Sequence, residues 1–202
     1  MRRRTKLLIV ALVIGIGFIL WVILALNCPD AGIGLTRRAR HLHYLKNRIK
    51  LPEAADFDPG VTFDALLESG DDSDRWLNER AARIQGQVLD VAYSRMEATN
   101  CYNPCRRDIH IVIANRKEAP KNEQVIVEVT PNLDDWATQQ GHDWSEKTLQ
   151  ARLVGHWCEF EGWLYFDVGH AEEAENTAPG NAENWRATAW ELHPVTKITV
   201  IR

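Results

Sequence analysis

His110, His170 and His193 are the residues of this chain best suited to acid–base or metal chemistry. His110 lies in RDIHIVIA, His170 follows Asp167 by three positions, and His193 sits in WELHPV with Glu191 two residues before it. If the elements carrying them converge, imidazoles and carboxylates form a mixed donor set that suits a divalent transition metal. Such an ion can activate water for hydrolysis. His110, His170, Glu191 and His193 are therefore the candidate metal ligands. The plainer alternative is that His193 bonds locally beside Pro194 while the other two are surface residues. It is the stronger of the two, because no spacing here matches the helical two-His motif of zinc hydrolases. A Gly-rich phosphate loop and a Gly-x-Ser-x-Gly elbow are also missing from the sequence, which lowers the odds of an enzyme. No cofactor is called for beyond the metal option.

Cys101 and Cys105 stand in TNCYNPCRRD. Outside the cytoplasm a disulfide closing this small loop is the simplest expectation. A zinc site would need a second ligand pair at finger spacing, and a thioredoxin-like redox pair would need two intervening residues where three are found. Cys158 falls on the inward parity of its strand and is expected to be a small core residue. Cys28 ends an apolar run, where acylation is an option.

The final part of the chain gathers Trp157, Trp163, Tyr165, Trp185 and Trp190. Trp157, Trp163 and Tyr165 alternate with the apolar set Cys158, Phe160, Leu164 and Phe166, so they are expected to face outward or to lie under a connecting loop. The connection Asp167 to Asn184 carries Asp167, Glu172, Glu173, Glu175 and Glu183 without Lys or Arg. It exceeds the roughly 12–15 residues beyond which loops are often functional. Trp157, Trp163, Tyr165, Asp167, Glu172, Glu173 and Glu175 are the candidate ligand contacts. The acidity points to a protein, a small molecule or a carbohydrate and makes nucleic acid an improbable ligand.

The elements that must position these groups follow from periodicity. Ser73 can cap a helix that runs to about Ala82. A strand from Ile84 to Tyr93 bends at Gly86, RDIHIVIA alternates about Ile109, Ile111 and Ile113, and VIVEVT is a run of branched residues. A short helix with Ser145 as cap precedes HWCEFEGWLYFD and then WRATAWELHPVTKITVI, two further strands. Three strands, a helix and two strands is the order of the OB-fold, a five-stranded Greek-key barrel with a long, bent first strand. The fold class expected is mainly β: an N-terminal transmembrane helix followed by a five-stranded OB-fold-like barrel, with a helix between strands 3 and 4. The stretch GWLYFDVGHAEEAENTAPGNAENWRATAWELHPVTKITV also resembles the C-terminal part of a group of uncharacterised bacterial OB-like domains that end in a Trp-x-x-His-Pro-Val-Thr phrase. The likeness covers roughly residues 80–202. It implies the fold and carries no catalytic residue with it.

Ahead of the barrel, Leu7 to Leu26 is twenty residues without a charge, long enough to span a membrane and longer than the apolar core of a cleaved signal peptide. Arg2, Arg3, Arg4 and Lys6 precede it, nearer than Arg37, Arg38 and Arg40 beyond it, which favours an inside N-terminus and an extracytoplasmic domain. The second basic stretch, Arg37 to Lys50, reads as a helix leaving the membrane or lying on headgroups. The chain divides as 1–27, cytoplasmic stub and transmembrane anchor; 28–72, basic juxtamembrane helix and acidic linker; and 73–202, OB-fold-like domain. Of 24 Lys and Arg against 28 Asp and Glu, four basic residues precede the span, which leaves 20 against 28, a net of −8. With 45% hydrophobic and 26% charged residues, a multi-pass membrane protein, a collagen-like chain and a disordered tail are excluded. The function expected is a binding or assembly module on the cell membrane. The alternative is a membrane-tethered metal-dependent hydrolase using the His and carboxylate residues.

Overall fold

Twenty uncharged residues at about 1.5 Å per residue give about 30 Å of helix, and α1 (Arg3–Leu26) contains them as one continuous stretch, Leu7–Leu26, of mean hydropathy 3.2. The structure is a computed structural model that describes residues 3–202. Arg2 and the side chains of Arg3, Arg4 and Lys6, on which the orientation expectation rests, lie outside the described residues.

The chain packs as two units, residues 3–44 with 96–106 and residues 45–95 with 107–202. In the first, α1 is long and apolar enough to cross a membrane. The Ile23 carbonyl accepts both the backbone N–H of Asn27 and its Nδ2, the latter at 2.8 Å, and Asn103 Nδ2 donates to the carbonyl of Ala25 at 2.9 Å, one of those a helix end leaves unpaired. Cys28 is disulfide-bonded to Cys101, while Cys105 is a free, exposed thiol. The expected Cys101–Cys105 pair is therefore corrected, and Cys28 has no thiol left to acylate. The short loop holds its shape by other means: Tyr102 N–H bonds to the Glu97 carbonyl, and Asn103 Oδ1 accepts from the Cys105 N–H. Cys101 itself adopts a left-handed conformation, with φ 53°.

The second unit is the barrel. Its strands are β1 (Ala81–Tyr93), β2 (Ile109–Ala114), β3 (Val125–Val129), β4 (Trp157–Phe166) and β5 (Trp190–Val200), closed in the order β1-β2-β3-β5-β4. β1 serves two partners, as the bent first strand of an OB barrel must: its first half pairs with β4 and its second half with β2. All pairings are antiparallel except β3 with β5, which runs parallel and has a single bridge, Val127 to Leu192. Ile109, Ile111 and Ile113 face the core with Val125, Val127, Val129, Phe160, Leu164 and Leu192.

Two helices, α4 (Pro131–Gln139) and α5 (Glu146–Leu153), stand between β3 and β4. α4 starts on Thr130, whose hydroxyl accepts from the Leu133 N–H, and has Pro at its first position, both strong start signals. Residues 45–72, expected as juxtamembrane helix and linker, pack with the barrel. α2 (Arg37–Asn47) ends there, and Val61, with Phe63 and Leu66 of α3 (Phe63–Leu67), joins the core. The helix expected from Ser73 to Ala82 does not form: 73–80 is a series of turns and β1 already begins at Ala81. A local turn and two tertiary contacts stand in its place. The Ser73 N–H is bound by Asp71, Asn78 Oδ1 accepts the Phe166 N–H at 2.7 Å, and Trp76 packs edge-on against Trp190.

Candidate functional site

Because β3 sends Val125, Val127 and Val129 inward, Glu128 must point to the outer face of the barrel. Register then decides its neighbours. His110 of β2 lies directly opposite Glu128, and the parallel Val127–Leu192 bridge brings the following residues, Glu128 and His193, side by side. Tyr165 of β4 is opposite Glu191 of β5. The result is a polar layer on an outer face that is nonetheless closed to water: Asp108, Glu128, Arg186, Glu191 and His193 each expose 1% or less.

Within it, His110 Nε2 lies 2.9 Å from Glu128 Oε1, and Arg186 pairs with Glu191 at 2.9 Å. His193 Nδ1 lies 3.0 Å from Glu191 Oε1 and 3.4 Å from Glu128 Oε2, while its Nε2 lies 3.8 Å from Asp108 Oδ2. Carboxylates only accept, so Nδ1 carries a proton and donates it to Glu191. Neither His193 Nε2 nor Glu128 Oε2 has a hydrogen-bond partner. Burial opposes charge on His110, but the attraction and hydrogen bond of Glu128 outweigh it and raise its pKa to about 9. His193 is likewise raised against the cost of burial, by Glu128, Glu191 and Asp108, with Lys46 opposing. Burial would raise Glu128, yet the two imidazoles hold it well below the ordinary value.

Of the four expected metal ligands, His110, Glu191 and His193 meet in this layer and His170 does not. His170 Nδ1 is 2.7 Å from Asp167 Oδ2, and its ring stands edge-on to Trp185. The group whose ligand atoms all lie within 4.8 Å of one another is Asp108, Glu128 and His193. Asp108 and Glu128, together with Arg186 and Lys46, were not singled out by motif. Their signal was nevertheless in the sequence: Glu128 interrupts a run of branched apolar residues, and Asp108 shares the parity of His110.

The expected ligand contacts are largely engaged within the fold. Trp163 and Tyr165 are buried. They lie under the end of α2 and the residues after it: Arg48 stacks on the Trp163 ring, Trp163 Nε1 donates to the Lys50 carbonyl at 2.6 Å, and Lys46 lies over Tyr165. These three basic residues therefore belong against the barrel, where the sequence placed them outside it. Trp157 remains half-buried beneath Arg202. In the acidic connection, Asp167 caps a 3-10 turn, Glu173 accepts from the Trp185 indole, and Glu175 accepts from Gly180 and Asn184. These bonds fold the loop onto itself, and Asn176 Nδ2 anchors it to buried Asp72.

An open groove of about 470 Å³ lies elsewhere, walled by Leu51, Trp136, Trp144 and Ile198, with Arg152, Lys197 and Glu161 at its margin. Trp136 and Trp144 meet edge to face at 6.4 Å, and Lys197 is held 2.8 Å from Glu161. Aromatic walls with a few placed charges in a concavity of this size are the usual make-up of a ligand site. No family model matches the chain, and no curated protein matches it either.

Proposed function

We propose that the protein is a single-pass membrane-anchored binding module whose OB-fold-like domain stands outside the cytoplasm and grips a protein segment in the groove between Trp136, Trp144 and Ile198. The groove is the observation that carries this reading: it couples apolar and aromatic walls to Arg152 and to a Lys197 paired with Glu161, on a chain whose net charge from Asn27 onward is −8. That local excess of positive charge favours a segment with an apolar anchor and a carboxylate, since Arg152 complements it while the acidic remainder repels other approaches. The Cys28–Cys101 disulfide, immediately past the span, supports the extracytoplasmic side, where such bonds persist. The hydrolase reading draws less support, because Glu128 and His193 are buried and out of reach of a substrate.

The test is site-specific photocross-linking of the full chain in its native membrane. A benzophenone side chain in place of Ile198 should capture one polypeptide, and Trp136→Ala in the same chain should abolish the adduct. The same probe at exposed Glu172 should give none. An adduct at position 172 with nothing at 198 would move the binding surface to the acidic connection and overturn the groove.

A further inference from the structure

The parallel contact between β3 and β5 closes the barrel through one bridge, Val127 to Leu192, whereas every other neighbouring pair shares several. By backbone pairing this seam is the thinnest line in the sheet. Immediately beside it, on the outer face, stand the residues that follow the bridge on each strand, Glu128 and His193, and Asp108 at the entrance to β2 completes a triangle with them. All three are buried.

We propose that Asp108, Glu128 and His193 bind one divalent transition-metal ion, zinc by ligand type, which staples β2, β3 and β5 together at the seam. Three features of the arrangement carry this. First, His193 Nδ1 is committed to Glu191 at 3.0 Å, which leaves Nε2 as the nitrogen available to an ion. A ligating imidazole that gives its other N–H to a carboxylate is the usual outer-shell design of a metal site. Second, Nε2 has no hydrogen-bond partner although His193 is fully buried, and Glu128 Oε2 is in the same position. Orphaned polar atoms at this depth are costly, and an ion ligated by both removes the cost. Third, Nε2 and Asp108 Oδ2 stand 3.8 Å apart. Two ligands each about 2.1 Å from a tetrahedral zinc lie about 3.4 Å from one another, so the pair needs to close by only a few tenths of an ångström.

One nitrogen and two carboxylates suit zinc or manganese, and the lack of sulfur excludes a soft-metal site. The ion is structural: it is sealed from solvent, and its work is to hold two parallel strands that share one bridge. The assignment is independent of the groove and of any partner bound there.

The experiment uses the full-length chain, purified in detergent without a polyhistidine tag and equilibrated with zinc, manganese or cobalt before excess metal is removed. Elemental analysis should find one ion per chain, and the loaded protein should melt above the chelated form. X-ray absorption at the metal edge should show a shell of nitrogen and oxygen only. Asp108→Asn and Glu128→Gln keep side-chain size and should weaken binding by roughly tenfold or more, at least what the loss of a residue that only orients a ligand costs. Substoichiometric metal with an unchanged melting temperature would overturn the site. Sulfur in the shell, or full occupancy in both variants, would place the ion elsewhere. The absorption measurement needs only the wild-type chain, so it decides the question even if the variants fail to fold.

Discussion

The pairing of His170 with Asp167 can be read through its pH dependence. The hydrogen bond of Asp167 raises the pKa of His170, against the cost of burial. Burial would raise Asp167, but His170, with Lys46 and Arg186 near, holds it well below the ordinary carboxylate range. Glu173, Glu191 and Arg186 are the other charges facing the imidazole. The raised histidine contributes stability that is complete below its ordinary value of 6.5 and lost as pH rises through the higher folded value. The lowered aspartate contributes stability that is complete above 3.8 and lost as pH falls through the lower folded value. Between 3.8 and 6.5 both contributions stand together. The melting temperature of His170→Gln should therefore fall short of wild type most in that window, with the gap narrowing on the alkaline side. Thermal melts of both chains across pH would show it; a gap that is constant with pH would mean that His170 acts by shape alone.

Among the strands, β4 and β5 depend on a residue with no side chain. A Cβ on Gly162 would meet the Pro194 carbonyl at 2.6 Å and the Val195 Cα at 3.0 Å, both backbone atoms that cannot swing aside. The β4–β5 register shifts on either side of Gly162, so the close approach is where one strand yields to the other. Gly162→Ala should cost about 1–3 kcal/mol, the range of an overpacked core position, measurable as a lower midpoint in urea with the slope unchanged. The neighbouring elements show what could be read without coordinates. β2 was legible because Ile109, Ile111 and Ile113 share one parity, and β1 because Ile84 to Tyr93 alternates about Gly86, although its register shift falls between Val88 and Asp90 and not at the glycine. The strand order followed from these and from the helix before β4. The segment 73–80 misled because Ser73, Trp76 and Leu77 have helical spacing, while the bonds that unwind them come from Asp71 and from the distant Phe166 N–H. The polar layer was half legible: the alternation placed His110 and Asp108 on one face, but the neighbours of Glu128 are fixed by a parallel strand more than sixty residues away, which no local pattern reports.

For the molecule as a whole, the link between span and loop makes a claim about compartment. Mass mapping of the nonreduced chain should recover Cys28 joined to Cys101, with exposed Cys105 alkylated at once. Buried Cys158, its thiol pushed up to about 11 by burial, should be alkylated only after unfolding. A Cys28 that is alkylated in protein trapped directly from cells would remove the support for an extracytoplasmic domain. What this barrel is expected not to bind is equally a property of the whole. OB domains that hold single strands use the face of strands 2 and 3 and the loop between strands 4 and 5, combining aromatic platforms with a positive groove. Here that face carries half-buried His110 with buried Glu128 and Glu191, Tyr165 is covered by Lys46, and the loop from Asp167 to Asn184 has no Lys or Arg. With a net of −8 beyond the span, repulsion of a phosphate backbone should grow as salt is lowered, since screening is then least. The full chain in detergent should therefore show no binding of a fluorescent single-stranded oligonucleotide at low micromolar concentration in roughly 0.1 M salt, where the Debye length is about 10 Å. A complex that forms there and weakens as salt rises would require a basic groove on the barrel, and would defeat the assignment of its binding surface to a protein segment.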